Sequence, residues 1–228
     1  MPNSVEIIGG YAFCGCSSLK SVEIGESVTI IGDYAFFSCY SLTSVIIGES
    51  VTTIGELAFA SCGLASVKIP DSVTTIGECA FNECWALISV EIGNNVTIIG
   101  AHAFQLTAIT RIEIPNSVVT IGDYAFTSCY SLTSIEIPDS VVTVGDYAIG
   151  YNPNLISVVI GNGVTTIGEG AFAYCDSLTS VTFKDPSNWY VTEDYAYAGG
   201  ESIDVTDASQ NATYLKSTYT QYYWYKKK

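Results

Sequence analysis

The chain repeats itself, and that limits its fold more than any other property. Counted from the residue before the Val of the string Ser-Val-Thr-Thr-Ile-Gly, units begin at Ser4, Ser27, Ser50, Ser72, Asn95, Ser117, Ser140 and Gly163, and the last ends at Asp185. A fixed period of roughly 20 to 50 residues means a solenoid, because one unit of that length cannot bury its own apolar face and neighbours must stack to do so. Six units have 23 residues; those starting at Ser50 and Asn95 have 22. Both short units lack one residue just before the Leu-type position (Cys62-Gly63-Leu64 and Thr107-Ala108-Ile109), which marks a turn tolerant of deletion.

The consensus is S-V-T-T-I-G-[DE]-x-A-F-x-x-C-x-x-L-x-S-V-x-I-x-x. The pairs Val22/Ile24, Val45/Ile47, Val67/Ile69, Val90/Ile92, Ile112/Ile114, Ile135/Ile137, Val158/Ile160 and Val181/Phe183 alternate with period 2 and are mostly β-branched. This predicts a short strand per unit with one buried face, and stacked strands make a parallel sheet. The column Phe13, Phe36, Phe59, Phe81, Phe104, Phe126, Ile149 and Phe172, each preceded by Ala, fills the interior with a large and a small side chain together. The Gly column from Gly9 to Gly168 suits a positive φ or a close backbone approach. The acids that follow (Asp33, Glu56, Glu78, Asp123, Asp146, Glu169) are expected to open a short helical turn, whose N-terminal dipole favours them.

The motif L-x-x-V-x-I, with a Cys three residues before the Leu, resembles a leucine-rich repeat. More narrowly, the string SVTTIGExAFxxCxxLxSVxIP resembles the BspA-like class of such repeats, over residues 4 to 185 and in all eight units. The resemblance implies an α/β solenoid: a right-handed leucine-rich repeat coil with a parallel sheet on one side and short helical turns and loops on the other. It also implies a surface or secreted protein of the kind found in bacteria and some protozoan parasites, several of which adhere to host proteins or other cells.

Residues 186–228 leave the pattern. They predict a strand at Ser202 to Val205, a helix from an Asp207 cap to about Ser217, and an aromatic close, Tyr219-Thr220-Gln221-Tyr222-Tyr223-Trp224-Tyr225, followed by three lysines. The open end of a solenoid exposes a core cross-section, so this segment is read as a C-terminal cap with Trp189 and Leu215 as plugs, and residues 1–185 as the repeat array. The alternative for Trp224, Tyr222, Tyr223 and Tyr225 is carbohydrate stacking. At the other end, Met1-Pro2-Asn3-Ser4-Val5 aligns with Ile114-Pro115-Asn116-Ser117-Val118, so the chain begins inside a unit. It is expected to be either a fragment of a longer array or a chain whose N-terminal edge is covered by a partner, with end-to-end association possible there.

With 23 acids against 8 bases, the net charge of −15 argues against a nucleic-acid partner, since phosphate binding rests on Lys and Arg. No apolar run reaches the roughly 18 residues of a transmembrane segment. Six cysteines (Cys16, Cys39, Cys62, Cys84, Cys129, Cys175) share one column, with Thr107 and Asn152 in its other two places. They are expected to be buried free thiols, because a ladder spreads its members along a line, whereas a metal needs ligands converging on a point. Cys14 and Cys79 lie off the column. His102 is the only histidine, in a variable, partly exposed column with Tyr11, Tyr34, Leu57, Cys79, Tyr124, Tyr147 and Gly170, and no second histidine supports nucleophilic catalysis. No phosphate loop or dinucleotide fingerprint appears, so no cofactor is implied. The acids could supply a carboxylate pair for glycoside hydrolysis, but most stand in the column with a structural explanation, and the chain reads as a non-enzyme.

What is left is surface. The residue between the two inward strand positions faces out: Glu23, Ile46, Lys68, Glu91, Glu113, Glu136, Val159 and Thr182. Glu91, Glu113 and Glu136, with Arg111 beside them and Lys68 and Ile46 further along, form a candidate partner-binding strip. Solubilising charge that discourages edge pairing is the competing explanation. The tyrosines Tyr11, Tyr34, Tyr124 and Tyr147, with Tyr40 and Tyr130, suit either an interface or packing between units. The leading expectation is an extracellular or cell-surface module for adhesion to a host or cell-surface protein. A structural spacer in a larger surface protein is the alternative, and a carbohydrate-binding protein the third.

Overall fold

The structure, a computed structural model, describes residues 2, 4–196 and 199–227. Met1 and Asn3, which contribute to the alignment at the chain's start, and Lys228, the last of the three lysines, lie outside the described residues.

Each turn of the solenoid has two strand positions. The first is the Thr-Ile pair, seen at Ile7–Ile8, Ile30–Ile31, Thr53–Ile54, Thr75–Ile76, Ile98–Ile99, Thr120–Ile121, Thr143–Val144 and Thr166–Ile167. These strands pair in parallel and in register, unit on unit, into one continuous sheet. The sequence had predicted only the Ser-Val-x-Ile sheet. Two-residue strands are too short to leave a period-2 signature, and the inward residues here are spaced three apart, as at Val28 and Ile31, both fully buried.

The predicted Ser-Val-x-Ile strands form the second face, broken into blocks. Ser21–Glu23 pairs with Ser44–Ile46, Ser66–Lys68 with Ser89–Glu91, and Ser134–Ile137 with Ser157–Ile160 and then Ser180–Phe183, all parallel. Residues 111–114 carry the same alternation, with Ile112 and Ile114 buried, but belong to no strand. Both interruptions occur at the two 22-residue units. Leading into each strand, the backbone N–H just after the Leu bonds the carbonyl one unit earlier, as from Thr43 to Lys20, Ile88 to Ala65, Thr133 to Thr110, Ile156 to Thr133 and Thr179 to Ile156. Among the described residues no such rung starts from Ala65 or Thr110, the corresponding residues of the short units. Deleting one residue from the preceding turn shortens the approach and costs the strand its registration with the unit before.

The helical turn expected after the Gly column is absent. Each unit has successive tight turns there, with two left-handed residues: φ is 58° at both Tyr34 and Ser38, 54° at Cys79 and 57° at Glu83. Left-handed backbone is costly for side chains with a Cβ, and the hydrogen bonds explain why it persists. Alternate N–H groups bond within the turn or forward to the next unit: Tyr34, Phe36 and Ser38 donate to Glu56, Ala58 and Ala60, while Ala35, Phe37 and Cys39 donate to Gly32, Tyr34 and Phe36. Every backbone donor in this stretch is therefore satisfied. The aspartates of the acid column follow the same logic, not the helix-dipole one. Asp33 Oδ1 accepts the Glu56 N–H, Asp123 that of Asp146, and Asp146 that of Glu169, each at 2.9 Å.

Of the two roles open to the Gly column, close approach is the one realised. A Cβ on Gly145 would lie 2.3 Å from Asp123 Oδ1 and 2.6 Å from the Asp123 backbone nitrogen, whereas one on Gly9, in the first unit, meets nothing within 4 Å. Units touch along this line, and only a missing side chain allows it. Behind it the Phe column is a stack, with ring centroids 5.1 Å apart for Phe36–Phe59 and 5.4 Å for Phe81–Phe104, nearly parallel.

The segment after the last unit continues the first sheet in antiparallel sense. Tyr223–Lys226 pairs with Thr166–Ile167, Trp189–Thr192 with Tyr223–Lys226, and Glu201–Ser202 with Trp189–Thr192. The two aromatic strands were not anticipated, and the strand expected at Ser202 to Val205 is reduced to Glu201–Ser202. The helix Ala208–Thr213 is present, its Asp207 cap accepting from the Ser209 and Gln210 N–H groups, and it continues as the π-helical segment Tyr214–Thr218. Trp189 and Leu215, expected as plugs, are buried. Trp189 lies 5.0 Å and Trp224 6.1 Å from the Phe183 ring. Backbone groups at the end of the array also find partners in this segment. Asn211 Nδ2 donates to the carbonyls of Val181 and Val205, both at 2.9 Å, and the Gly170 N–H donates to the Thr220 carbonyl.

Candidate protein-binding surface

The second face carries the predicted strip. Its outward residues alternate with buried ones along each strand, so Glu91, Glu113 and Glu136 are exposed while Val90, Ile92, Ile112, Ile114, Ile135 and Ile137 are buried. The missing strand at residues 111–114 shapes this surface. Without pairing to hold the neighbours flush, two depressions flank Glu113. One, of about 460 Å³, is lined by Ile92, Asn94, Glu113, Pro115, Glu136 and Pro138 among others. The other, of about 270 Å³, is lined by Ile88, Ser89, Glu91, Thr110, Arg111 and Glu113. Glu91, Arg111, Glu113 and Glu136 are thus brought together by the gap in the sheet.

The other two residues of the strip stand apart. Lys68 is in register beside Glu91, and its Nζ lies 3.8 Å from Glu49 with both side chains 63% exposed, a pair worth little in water. Ile46 lies on the far side of the first interruption, in register with Glu23, and lines neither depression. Glu136 is partly neutralised: Lys184 Nζ is 2.9 Å from it and 3.3 Å from Asp139. The net acidity of the strip therefore centres on Glu91 and Glu113.

Other candidates take structural places. Cys39, Cys62, Cys84, Cys129 and Cys175 are buried, and each Sγ donates to a main-chain carbonyl of the previous unit at 3.1 to 3.2 Å. Asn152 makes the same bond through Nδ2, to the Phe126 carbonyl at 2.9 Å. Burial pushes the Cys175 thiol up to about 12 and that of Cys129 to about 11, so neither ionises near neutrality. Cys16 heads the column and is exposed, with Cys14 beside it. His102 stacks on Tyr124 at 4.8 Å and its Nδ1 meets Gln105 Oε1 at 2.8 Å. Tyr11–Tyr34 and Tyr124–Tyr147 stack likewise at 4.6 and 5.3 Å, the arrangement expected of packing between units. Trp224 is only 1% exposed, which removes it as a carbohydrate platform. Among the described residues four exposed aromatics went unremarked in the sequence, Trp85, Tyr151, Tyr174 and Tyr195; Trp85, 60% exposed, lies in the turn column that also holds Tyr40 and Tyr130. No helix of the described residues is long and apolar enough to cross a membrane.

The chain is similar to known proteins throughout. The family model described as a BspA type leucine rich repeat region matches residues 1–107 and 97–223, in six copies. Among solved structures, a leucine-rich repeat protein from Bacteroides ovatus is 26% identical, with a TM-score of 0.57, covering 80% of this chain and 60% of that one. The leucine-rich repeat protein of T. pallidum is 28% identical with a TM-score of 0.55, covering 76% of this chain and 72% of that one. No protein of curated function matches the chain.

Proposed function

The chain belongs to the BspA-type leucine-rich repeat family, and from that premise we propose that it is a non-enzymatic binding module of a cell-surface or secreted protein. Solenoids of this kind are typically scaffolds that present an extended surface, and proteins of this repeat type are commonly surface proteins. In this reading residues 1–185 are the repeat array, residues 186–228 close its end, and the partner is a protein engaged in adhesion. The chain spans 60% of the Bacteroides ovatus protein's length, so the activity of any larger whole is part of the proposal.

The observation that carries the reading is the gap at residues 111–114. A strand surface kept only for solubility would be flat, whereas here Glu113 stands between two depressions that bring in Glu91, Arg111 and Glu136. Concavity with convergent charged groups is what a recognition site requires. A partner surface bearing Lys or Arg fits that charge.

The test compares the chain with the variant Glu91→Lys/Glu113→Lys/Glu136→Lys in binding to immobilised cells and extracellular proteins, at low and physiological salt. Circular dichroism checks the fold, which the substitutions should spare because all three side chains are exposed. Binding by the native chain that is salt-sensitive and lost in the variant supports the strip. Unchanged affinity places the site elsewhere, and no saturable binding by the native chain favours the spacer.

A further inference from the structure

The residue after the Cys-type position is Tyr40, Gly63 and Trp85 in three consecutive units. Where this chain places rings in a column, it stacks them unit on unit, at 4.6 Å for Tyr11–Tyr34 and 5.1 Å for Phe36–Phe59. At Gly63 the ring is missing, and the backbone prevents one from being added, since a Cβ there would lie 2.5 Å from the Tyr40 carbonyl oxygen. The consequence is a notch of about 280 Å³ lined by Tyr40, Ser61, Gly63, Glu83 and Trp85, with Cys62 and Ala86. Tyr40 is 65% and Trp85 60% exposed. Successive units stand about 4.8 Å apart, so the flanking positions are two spacings apart and leave room for one planar group.

The notch is not purely apolar. Glu83 is half-buried in its lining, and its Oε2 accepts from Ser61 Oγ at 3.1 Å. A carboxylate has about four acceptor sites, so one such bond leaves capacity for a ligand. Two aromatic side chains, a flat vacancy and a carboxylate define what fits. A guanidinium is planar, stacks on aromatic faces and pairs with carboxylates in a fork. The net charge of −15 adds attraction for a cation. A neutral sugar ring would use the aromatic faces but gain nothing from that charge, and a lysine ammonium lacks the plane.

We propose that the notch between Tyr40 and Trp85 binds the guanidinium of an arginine side chain on a partner protein, with Glu83 as its counter-ion. The assignment rests on the protein-binding reading for the identity of its partner, but uses no residue of the Glu91–Glu113–Glu136 strip.

Trp85 supplies the assay. Trp189 and Trp224 are each 1% exposed, so the acrylamide-quenchable fluorescence of the folded chain reports Trp85. Titration with acetyl-Gly-Arg-Gly-amide should give a saturable change in that signal. The lysine and citrulline analogues should bind about tenfold more weakly, as should the variants Glu83→Gln and Tyr40→Ala toward the arginine peptide. Tyr40 is exposed and the change at Glu83 is isosteric, so both variants should keep the fold, which circular dichroism checks. Equal binding of the lysine peptide, tighter binding of cellobiose, or no saturation up to about 50 mM peptide would each overturn the assignment. The strip variant separates the two readings, because it should bind the peptide within about threefold of the native chain. If strip reversal spares partner binding while the peptide still binds, the strip is wrong and the notch stands. If the peptide fails while strip reversal abolishes partner binding, the notch alone is wrong.

Discussion

The Gly column allows a test in which one substitution, made at two equivalent positions, should have opposite effects. In Gly145→Ala the new methyl would sit 2.3 Å from Asp123 Oδ1, 2.6 Å from the Asp123 nitrogen and 2.7 Å from the Gly122 carbonyl carbon. The carboxylate can swing away, but only by giving up the 2.9 Å bond it accepts from the Asp146 N–H. The backbone atoms cannot move without parting two units that are also tied by the Thr120–Ile121 and Thr143–Val144 pairing. Overpacking of this sort costs about 1–3 kcal/mol, and loss of a hydrogen bond to a charged acceptor about 1.5 more. Against this, alanine gains about 0.4–1 kcal/mol by restricting the unfolded chain. The net expectation is a loss of about 1.5–4 kcal/mol, or a fall in Tm of about 3–16 °C for a chain of this size. In Gly9→Ala the methyl meets nothing within 4 Å and φ is not positive, so only the unfolded-state term remains and the variant should be neutral or slightly more stable. Urea unfolding followed by circular dichroism measures both. Equal destabilisation by the two substitutions would mean that the column serves backbone conformation and not contact between units.

Three further outcomes follow from the same contacts. Phe81 is fully buried, with Phe59 and Phe104 each at 5.4 Å, so Phe81→Ala should cost about 3–5 kcal/mol, and a loss under about 1 would contradict the stack. Alkylation of the native chain at pH 8 should label Cys14 and Cys16 rapidly and the five buried column cysteines slowly, with eight thiols reacting in denaturant; six or fewer in denaturant would show disulfides. Hydrogen bonds from Lys226 and then Ser187 hold the Asp185 carboxyl well below the usual carboxylate range. Its stabilising effect is therefore present above the unfolded value of about 4 and disappears as pH falls through the lower folded one. Asp185→Asn should cost at most about 1 kcal/mol at pH 7, since the carboxylate is 42% exposed, and the deficit should close on acidification below about pH 4. A deficit that grew on acidification would refute the pairing.

The columns that were readable in the sequence are those in which one residue class does one job in every unit. Val and Ile of the Ser-Val-x-Ile strand and the Phe stack belong to this group, because burial tolerates little else. Where the backbone does the work, side-chain identity carries no signal. The left-handed position is occupied by Tyr34, Leu57, Cys79 and His102 alike, because hydrogen bonds to the next unit override local preference, and nothing in those letters shows it. The acids were legible as a column but not in their role, since an acid beside a helix start and an acid bonding a neighbouring unit look the same in one dimension. The aromatic close of the chain was read as apolar cover, and Tyr223–Lys226 was not recognised as a strand because its partner, Thr166–Ile167, lies more than fifty residues earlier. The strip followed from period 2 alone. Its depressions did not, because they depend on hydrogen-bond rungs that Ala65 and Thr110 do not make.

Those missing rungs connect the two candidate sites. A perfectly periodic solenoid presents the same small motif at every step, so a partner sliding by one unit would find nearly the same surface, and binding would have no register. Register requires a departure from the period, and this chain departs from it twice, by deletion at the same turn. In the first short unit Gly63 stands between the positions of Tyr40 and Trp85, and its lack of a ring leaves the Tyr40–Trp85 notch, with its Glu83 carboxylate. In the second short unit residues 111–114 form no strand, and the two depressions lie around Glu113. The two short units are separated by one full-length unit, the one beginning at Ser72, which supplies Glu83 and Trp85 to the notch and Glu91 to one of the depressions. A partner that engaged both would be fixed along the axis to a single position, a specificity that neither an intact array nor either site alone could provide. Restoring one residue before Ile109 should return the rung at Thr110, flatten the surface around Glu113 and leave the core columns undisturbed.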